Sequence, residues 1–244
     1  MRIVVTGGTG YLGRALLERG CIGVSRSTGV DVRDADAVAT ALDGAEAVIH
    51  TAYLQEGPDA WSTNVEGSRI VAEATRGRRL VHLSTDVVFS GRKGSPYVED
   101  DALDPVTDYG RSKAAAEAEV AAAHPEALIV RTSLIYGGRE PSKHELAARD
   151  PRNAFFVDEI RCPVHVDDLA DALIGLARGR ESGPLHLVGA DAVSRYEFAM
   201  LSSGRDVRGT AAPPSRPTNC TLFSNRVAPL RGVRAVLDGA VSRR

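Results

Sequence analysis

Tyr109 and Lys113 stand four residues apart in Tyr109-Gly110-Arg111-Ser112-Lys113. If the segment is helical, that spacing puts both side chains on one face. A lysine ammonium beside a phenol favours the phenolate and lowers its pKa, which makes the hydroxyl a usable general acid or base near neutral pH. Upstream, Ser84-Thr85-Asp86 ends a strand-like run, where the Thr85 hydroxyl could hold a carbonyl oxygen. In this order, the three residues describe chemistry on a carbonyl and its alcohol.

A second constellation opens the chain. Gly7-Gly8-Thr9-Gly10-Tyr11-Leu12-Gly13 lies between a short apolar run and a helical pattern. Glycine lets a backbone turn sharply and approach a pyrophosphate, and a following helix offers free N–H groups. The spacing is G-x-x-G-x-x-G, and its position after the first strand makes it a dinucleotide loop. At the end of the second strand, Val24-Ser25-Arg26-Ser27 carries no acid. An acid there binds the ribose 2′-hydroxyl of NAD, whereas an arginine accommodates a 2′-phosphate. Ser25 and Arg26 therefore predict that NADP(H) is preferred, with NAD(H) still possible. Asp31-Val32, just before the next helix, either borders an adenine or belongs to the turn.

The elements that must position these residues are legible as an alternation. Strand-like runs at 2–6, 21–25, 47–51, 80–84 and 127–132 are separated by helical patterns at 11–19, 34–42, 59–75 and 108–123. Short buried strands joined by helices imply βαβ crossovers and a parallel sheet. The fold class expected is α/β, a Rossmann-type doubly wound parallel sheet with a small discontinuous C-terminal substrate lobe. The nucleotide-binding core is assigned to 1–137, with returning segments near 160–190, and 138–244 mainly to the lobe. Residues 137–153 look charged and irregular; helices are expected at 166–177, 195–202 and near 232–240, and a strand at 184–188.

Composition excludes several function classes. The 244 residues are 43% hydrophobic and 25% charged, with a formal net charge of −2, so no basic excess recruits nucleic acid. Arg76, Arg78 and Arg79 read as a solvated helix end. Cys21, Cys162 and Cys220 are few and widely spaced, which suits a reducing compartment and gives no metal motif. The opening run Ile3-Val4-Val5 is too short for a signal-peptide core, and no apolar stretch nears the ~20 residues of a membrane span. A cytoplasmic protein with no membrane partner is expected, and a homodimer stays open.

The chain resembles the extended short-chain dehydrogenase/reductase superfamily and, within it, the dTDP-4-dehydrorhamnose reductase-like, NAD-dependent epimerase-like group. The likeness is carried by Ser84-Thr85-Asp86-Val87-Val88-Phe89-Ser90-Gly91, Pro96-Tyr97-Val98-Glu99-Asp100 and Tyr109-Gly110-Arg111-Ser112-Lys113. Further matches are Val130-Arg131-Thr132-Ser133-Leu134-Ile135-Tyr136-Gly137, His165-Val166-Asp167-Asp168-Leu169-Ala170 and Arg216-Pro217-Thr218-Asn219. The resemblance implies that Tyr109 protonates the alkoxide, Lys113 binds the nicotinamide ribose and tunes Tyr109, and Thr85 orients the carbonyl. It also implies that Asn64 supports the site, that Thr51, Ala52 and Tyr53 line the cofactor, and that Thr132 and Ser133 lie near the nicotinamide.

The sequence departs from the group at Val87, where tyrosine is usual, and at His50-Thr51-Ala52, where Asn-Ala-Ala is usual. Residues 138–153 match no pattern of the family, and the chain is shorter than typical members. The implied activity is an NAD(P)H-dependent reductase acting on a small-molecule keto group, with a nucleotide sugar as the candidate substrate. The alternatives are an epimerase of the same superfamily and a non-catalytic NADP-binding regulatory subunit. Dehydratases of the superfamily place Asp-Glu after the threonine, and here Asp86 is followed by Val87. His165 reads as a residue packed at a helix start, and Trp61 as core or interface.

Overall fold

The computed structural model describes residues 1–241. The chain runs β1 (Ile3–Thr6), α1 (Tyr11–Leu17), β2 (Ile22–Val24), α2 (Ala35–Ala41), β3 (Ala47–His50), α3 (Ala60–Asn64), α4 (Glu66–Ala74), β4 (Arg79–Thr85), α5 (Asp108–Ala123) and β5 (Leu128–Thr132). It continues through β6 (Ile135–Tyr136), α6 (Lys143–Arg149), β7 (Ala154–Phe156), β8 (Ile160–Arg161), β9 (Val164–His165) and α7 (Val166–Arg178). The last elements are β10 (Gly183–His186), β11 (Val193–Ser194), α8 (Arg195–Ser203), β12 (Arg208–Thr210) and α9 (Val233–Val241).

The six-stranded sheet has the order β10-β5-β4-β3-β1-β2. β1 pairs in parallel with β2 on one side and β3 on the other. The strand order therefore reverses at β1, and the crevice beyond the carboxyl ends of β1 and β3 is where open α/β sheets bind ligands. β1, β3 and β5 are buried on both faces, which is why they read as short continuous apolar runs. Val4, Val48, Leu80, Val71, Val120 and Ile129 belong to one core cluster beside this sheet.

The chain divides into two compact units. The first comprises Met1–Thr85, Asp108–Val130 and Ala170–Leu185; the second comprises Asp86–Thr107, Arg131–Leu169 and His186–Arg244. The second unit holds short strand pairs, β6 with β9, β7 with β12 and β8 with β11, and a core cluster of Leu134, Tyr136, Val193, Phe198 and Val233.

Four expectations are corrected. The helical pattern at 59–75 is two helices, α3 and α4, divided at Val65. There the Ser68 hydroxyl donates to the Asn64 carbonyl (2.5 Å), the side-chain competition with backbone bonding that weakens helices locally. Residues 137–153 are not wholly irregular: α6 starts at a capping box in which Ser142 Oγ accepts from Glu145 N and Glu145 Oε2 accepts from Ser142 N. The arginine run is a solvated end only in part: Arg76 is exposed, whereas Arg78 and Arg79 are half-buried. Arg76 donates to Ala123 O (2.7 Å), Arg78 to Leu42 O (2.6 Å) and Arg79 to Leu176 O (2.9 Å), so each ties off a carbonyl in or beside the last turn of a helix. Trp61 is 53% exposed on α3 and is not a core residue.

Candidate active site

Thr85 ends β4, and Tyr109 lies in the first turn of α5 with Lys113 one turn on. The buried face of α5 includes Ser112, Lys113, Ala116, Glu117 and Val120, so the lysine points where an apolar residue would normally pack. Its side chain is 3% exposed. The ammonium donates to Leu83 O (2.7 Å), two residues before Thr85, and meets His82 Nε2 at 3.3 Å. Burial lowers the Lys113 pKa to about 8, against the raising field of Glu117. Glu117 in turn accepts from the Ser84 hydroxyl (2.5 Å). Tyr109 is half-buried, its ring 5.7 Å from that of Tyr53.

Behind Lys113 runs a row of polar side chains that strand register creates. Thr6 pairs with His50 across β1 and β3, and His50 with His82 across β3 and β4. Cross-strand neighbours share a face, and the two imidazole centroids are 5.2 Å apart. His50 Nδ1 meets Thr6 Oγ1 at 2.5 Å and Nε2 meets Ser68 Oγ at 3.0 Å. Because the Ser68 proton is committed to Asn64 O, its oxygen accepts from His50 Nε2–H, and Nδ1 accepts from Thr6. His50 is thus a neutral tautomer, and burial holds its pKa down at about 3.

Asn64, fully buried, closes the region. Its Oδ1 accepts from Leu54 N (2.8 Å), and its Nδ2 donates to Leu54 O (2.8 Å) and Ser112 Oγ (2.9 Å). Ser112 donates to Tyr109 O (2.8 Å). One amide thus joins the segment after β3, which carries Thr51, Ala52 and Tyr53, to the helix that carries Tyr109 and Lys113.

The glycine loop sits at the switch point. Gly7 has φ +76°. A Cβ on Gly13 would fall 2.2 Å from Gly7 O, and one on Gly8 2.7 Å from Gly23 Cα, so these glycines let loop, helix and β2 pack closely. Gly10 precedes α1 as its N-cap; Thr9 and Gly10 are exposed, Tyr11 half-buried and Leu12 buried. After β2, Ser25 opens a 3₁₀ turn, Arg26–Thr28, in which Ser25 N donates to Thr28 Oγ1 (2.8 Å). Arg26 is exposed; its carbonyl accepts from Gly29 N (3.0 Å), while its guanidinium makes no hydrogen bond or ion pair among the described residues and acts on Asp31 only through its field. Asp31 is held by Arg33, whose hydrogen bonds (Nη2–Oδ2 2.7 Å) lower the carboxyl pKa to about 2; Val32 is buried against Gly67.

Thr132 and Ser133 belong to the second unit. Thr132 Oγ1 donates to Leu187 O (2.8 Å) and Ser133 Oγ to Asp86 Oδ2 (2.5 Å), which commits both hydroxyl protons internally. His165 precedes α7 and accepts from Asp167 N (3.3 Å), the packed helix-start residue its position suggests. All three cysteines are free and buried. Among the described residues no cluster could hold a metal ion and no helix is long and apolar enough to cross a membrane. Two features escaped the sequence reading: the His50–His82 pair, and a buried ion network of Asp86, Glu159 and Arg161 in the second unit.

Known proteins resemble this chain in sequence and in fold. The family model described as the RmlD substrate binding domain matches residues 1–224. A dTDP-4-dehydrorhamnose reductase of Mycolicibacterium smegmatis is 33% identical over 280 residues, covering 99% of this chain and 85% of that protein. A probable dTDP-4,6-dihydroxy-2-methyloxan-3-one 4-ketoreductase of Streptomyces antibioticus is 32% identical, covering 98% and 94%. In fold, the chain superposes with a TM-score of 0.87 on the crystal structure of a dTDP-4-dehydrorhamnose reductase from Bacillus anthracis in complex with NADP, at 24% identity and covering 100% and 99% of the two chains. With its reversed parallel sheet, glycine loop and Thr85, Tyr109 and Lys113 in order, the chain belongs to the RmlD substrate-binding-domain family, a group of short-chain dehydrogenase/reductase-type oxidoreductases.

Proposed function

We propose that this protein reduces the keto group of a nucleotide-activated deoxysugar with NADPH, NADH being the poorer donor. The observation that carries the reading is Lys113: a buried ammonium anchored on Leu83 O, beside the strand end that delivers Thr85 and one turn from Tyr109. Burial holds the Lys113 pKa down at about 8, and the field of such a cation, acting on a phenol, favours the phenolate.

The residues present fit a dinucleotide. Gly7, Gly10 and Gly13 leave backbone without side chains at the switch point, where Gly7, Thr9, Gly10, Tyr11 and Leu12 would hold the pyrophosphate. Ser25 and the unengaged Arg26 guanidinium would take a 2′-phosphate, with Asp31 and Val32 along the adenine. Thr51, Ala52 and Tyr53 would line the nicotinamide end. When bound, the nicotinamide supplies the hydride. As the keto carbon gains that hydride, its oxygen becomes an alkoxide; Thr85 orients this oxygen and Tyr109 transfers its hydroxyl proton to it. Lys113 stabilises the resulting phenolate, which recovers its proton from solvent.

Reduction, rather than dehydration, is supported by Asp86. Its carboxylate accepts from Ser133 and lies 3.6 Å from Arg161 Nε, so it is committed to structure, and Val87 supplies no acid. The second unit would form most of the sugar-nucleotide pocket. The reading includes a cytoplasmic location, no nucleic-acid partner and room for a homodimer. The test is NADPH consumption with dTDP-4-dehydrorhamnose, dTDP-4-keto-6-deoxy-D-glucose and simple ketones. Turnover of a nucleotide sugar well above the simple ketones supports the reading; binding of NADPH with no turnover of any keto-sugar overturns it.

A further inference from the structure

We propose that His82 is the positioning residue of Lys113, a neutral hydrogen-bond acceptor that holds the ammonium in place without neutralising it. The inference rests on the reading of Tyr109 and Lys113 as the proton-handling pair.

An ammonium has three donors and no acceptor. One Lys113 proton goes to Leu83 O (2.7 Å), and a second can reach only a bare His82 Nε2 (3.3 Å). The His82 proton must then sit on Nδ1, and that atom is buried with no partner. A buried, unpaired polar atom is costly. The fold tolerates it because the other tautomer would turn an N–H toward the ammonium, leaving both groups as donors.

The surroundings keep His82 neutral from every side. Full burial does most to push the pKa well below its usual 6.5, the Lys113 ammonium on α5 opposes a second positive charge, and the His50 ring on β3, itself neutral, offers no anion to offset them. Among the described residues Glu117 on α5 is the acid whose field raises the Lys113 pKa, and its carboxylate accepts from the Ser84 hydroxyl. A carboxylate at position 82 would pair with the lysine and cancel the field that a nearby phenol feels. A hydrophobic residue would leave the ammonium one acceptor short. An imidazole with a bare nitrogen does neither.

The test separates acceptor from packing. His82→Gln keeps an acceptor, and His82→Leu keeps the bulk without one. The Lys113 titration is read by NMR of lysine labelled at Cε, the signal being assigned with Lys113→Met, and needs neither cofactor nor turnover. His82→Leu should lower the Lys113 pKa by about one unit, the scale of one lost hydrogen bond to a charged group. The alkaline limb of the kcat profile should move down with it, and His82→Gln should restore both. An unchanged Lys113 pKa in His82→Leu, or an equal drop in both variants, overturns the proposal. The wild-type ring gives a further check that needs no variant: its ¹⁵N shifts should show Nδ1–H and a bare Nε2, and the opposite tautomer overturns it. If the titrations behave as expected while Tyr109→Phe keeps full turnover, it is the Tyr109–Lys113 reading that fails.

Discussion

Each unit buries a cation, and the two are treated in opposite ways. Arg161, 4% exposed in the second unit, is surrounded by acceptors: Ile160 O, Thr218 O and Pro217 O receive its protons, Glu159 lies at 3.0 Å and Asp86 at 3.6 Å. Lys113, as deeply buried in the first unit, has a carbonyl, a neutral imidazole and, among the described residues, no acid within bonding distance. A fully paired guanidinium has nothing left to offer and serves to fix chain segments. An under-paired ammonium keeps its field and a pKa near working pH. Burial alone thus does not mark a functional charge; the incompleteness of its pairing does.

The contrast can be broken by substitution. Glu159→Gln should have the largest effect. Glu159 also takes both Arg216 Nε and Nη2 at 3.0 Å, so the change leaves Arg161 and Arg216 short of their shared anion. A loss of about 3–5 kcal/mol in stability is expected by denaturant titration, and a loss under about 1 kcal/mol would mean the network is as dispensable as a surface pair. Next, Tyr109→Phe should leave cofactor affinity and folding intact and reduce kcat by ~10²-fold or more; near-wild-type turnover would detach Lys113 from any catalytic role.

Arg26 belongs to neither class, being exposed and unbonded. Arg26→Asp should erase or reverse a preference for NADPH over NADH of roughly tenfold or more, measured as the ratio of dissociation constants. Equal affinities in the wild type would remove the arginine from recognition.

The smallest effect is the sharpest test of the contrast. Folding depresses the Lys113 pKa from 10.5 to about 8, so between these values the folded protein binds fewer protons than the unfolded chain. The penalty is full below about 8 and vanishes as pH rises towards 10.5. Lys113→Met relieves roughly 3 kcal/mol of it but orphans Leu83 O and His82, at about 1 kcal/mol each. The inactive variant should therefore be more stable than wild type by about 1 kcal/mol at pH 7, with that advantage fading towards pH 10. Destabilisation at neutral pH would show that Lys113 is held as firmly as Arg161.

The frame of the first unit was legible because its signals are local. The alanine-rich run after Asp108 predicts α5 to its observed ends, and the glycine string fits only between a strand and a helix. Ser142-Lys143-His144-Glu145 carried the start of α6 in plain view, masked by the charges around it. The polar row of Thr6, His50 and His82 was not legible, since a histidine in Leu-Val-His-Leu-Ser-Thr looks like any half-buried strand position. Only the β1–β3–β4 register sets it behind Lys113. The arginines at 76, 78 and 79 misled for the same reason: their acceptors, Ala123, Leu42 and Leu176, are distant in sequence.

The Asn64 clamp has a consequence for motion. Both polar ends of its amide are spent on Leu54 and Ser112, so the loop after β3 can open at Leu54 only by breaking two hydrogen bonds to a fully buried side chain at once. The Leu54 amide should therefore exchange with solvent on the slow timescale of the sheet rather than that of a surface loop. A loop that breathes only with its sheet cannot serve as a gate. The Tyr53 ring, next in sequence to Leu54 and 5.7 Å from that of Tyr109, is held by the same clamp.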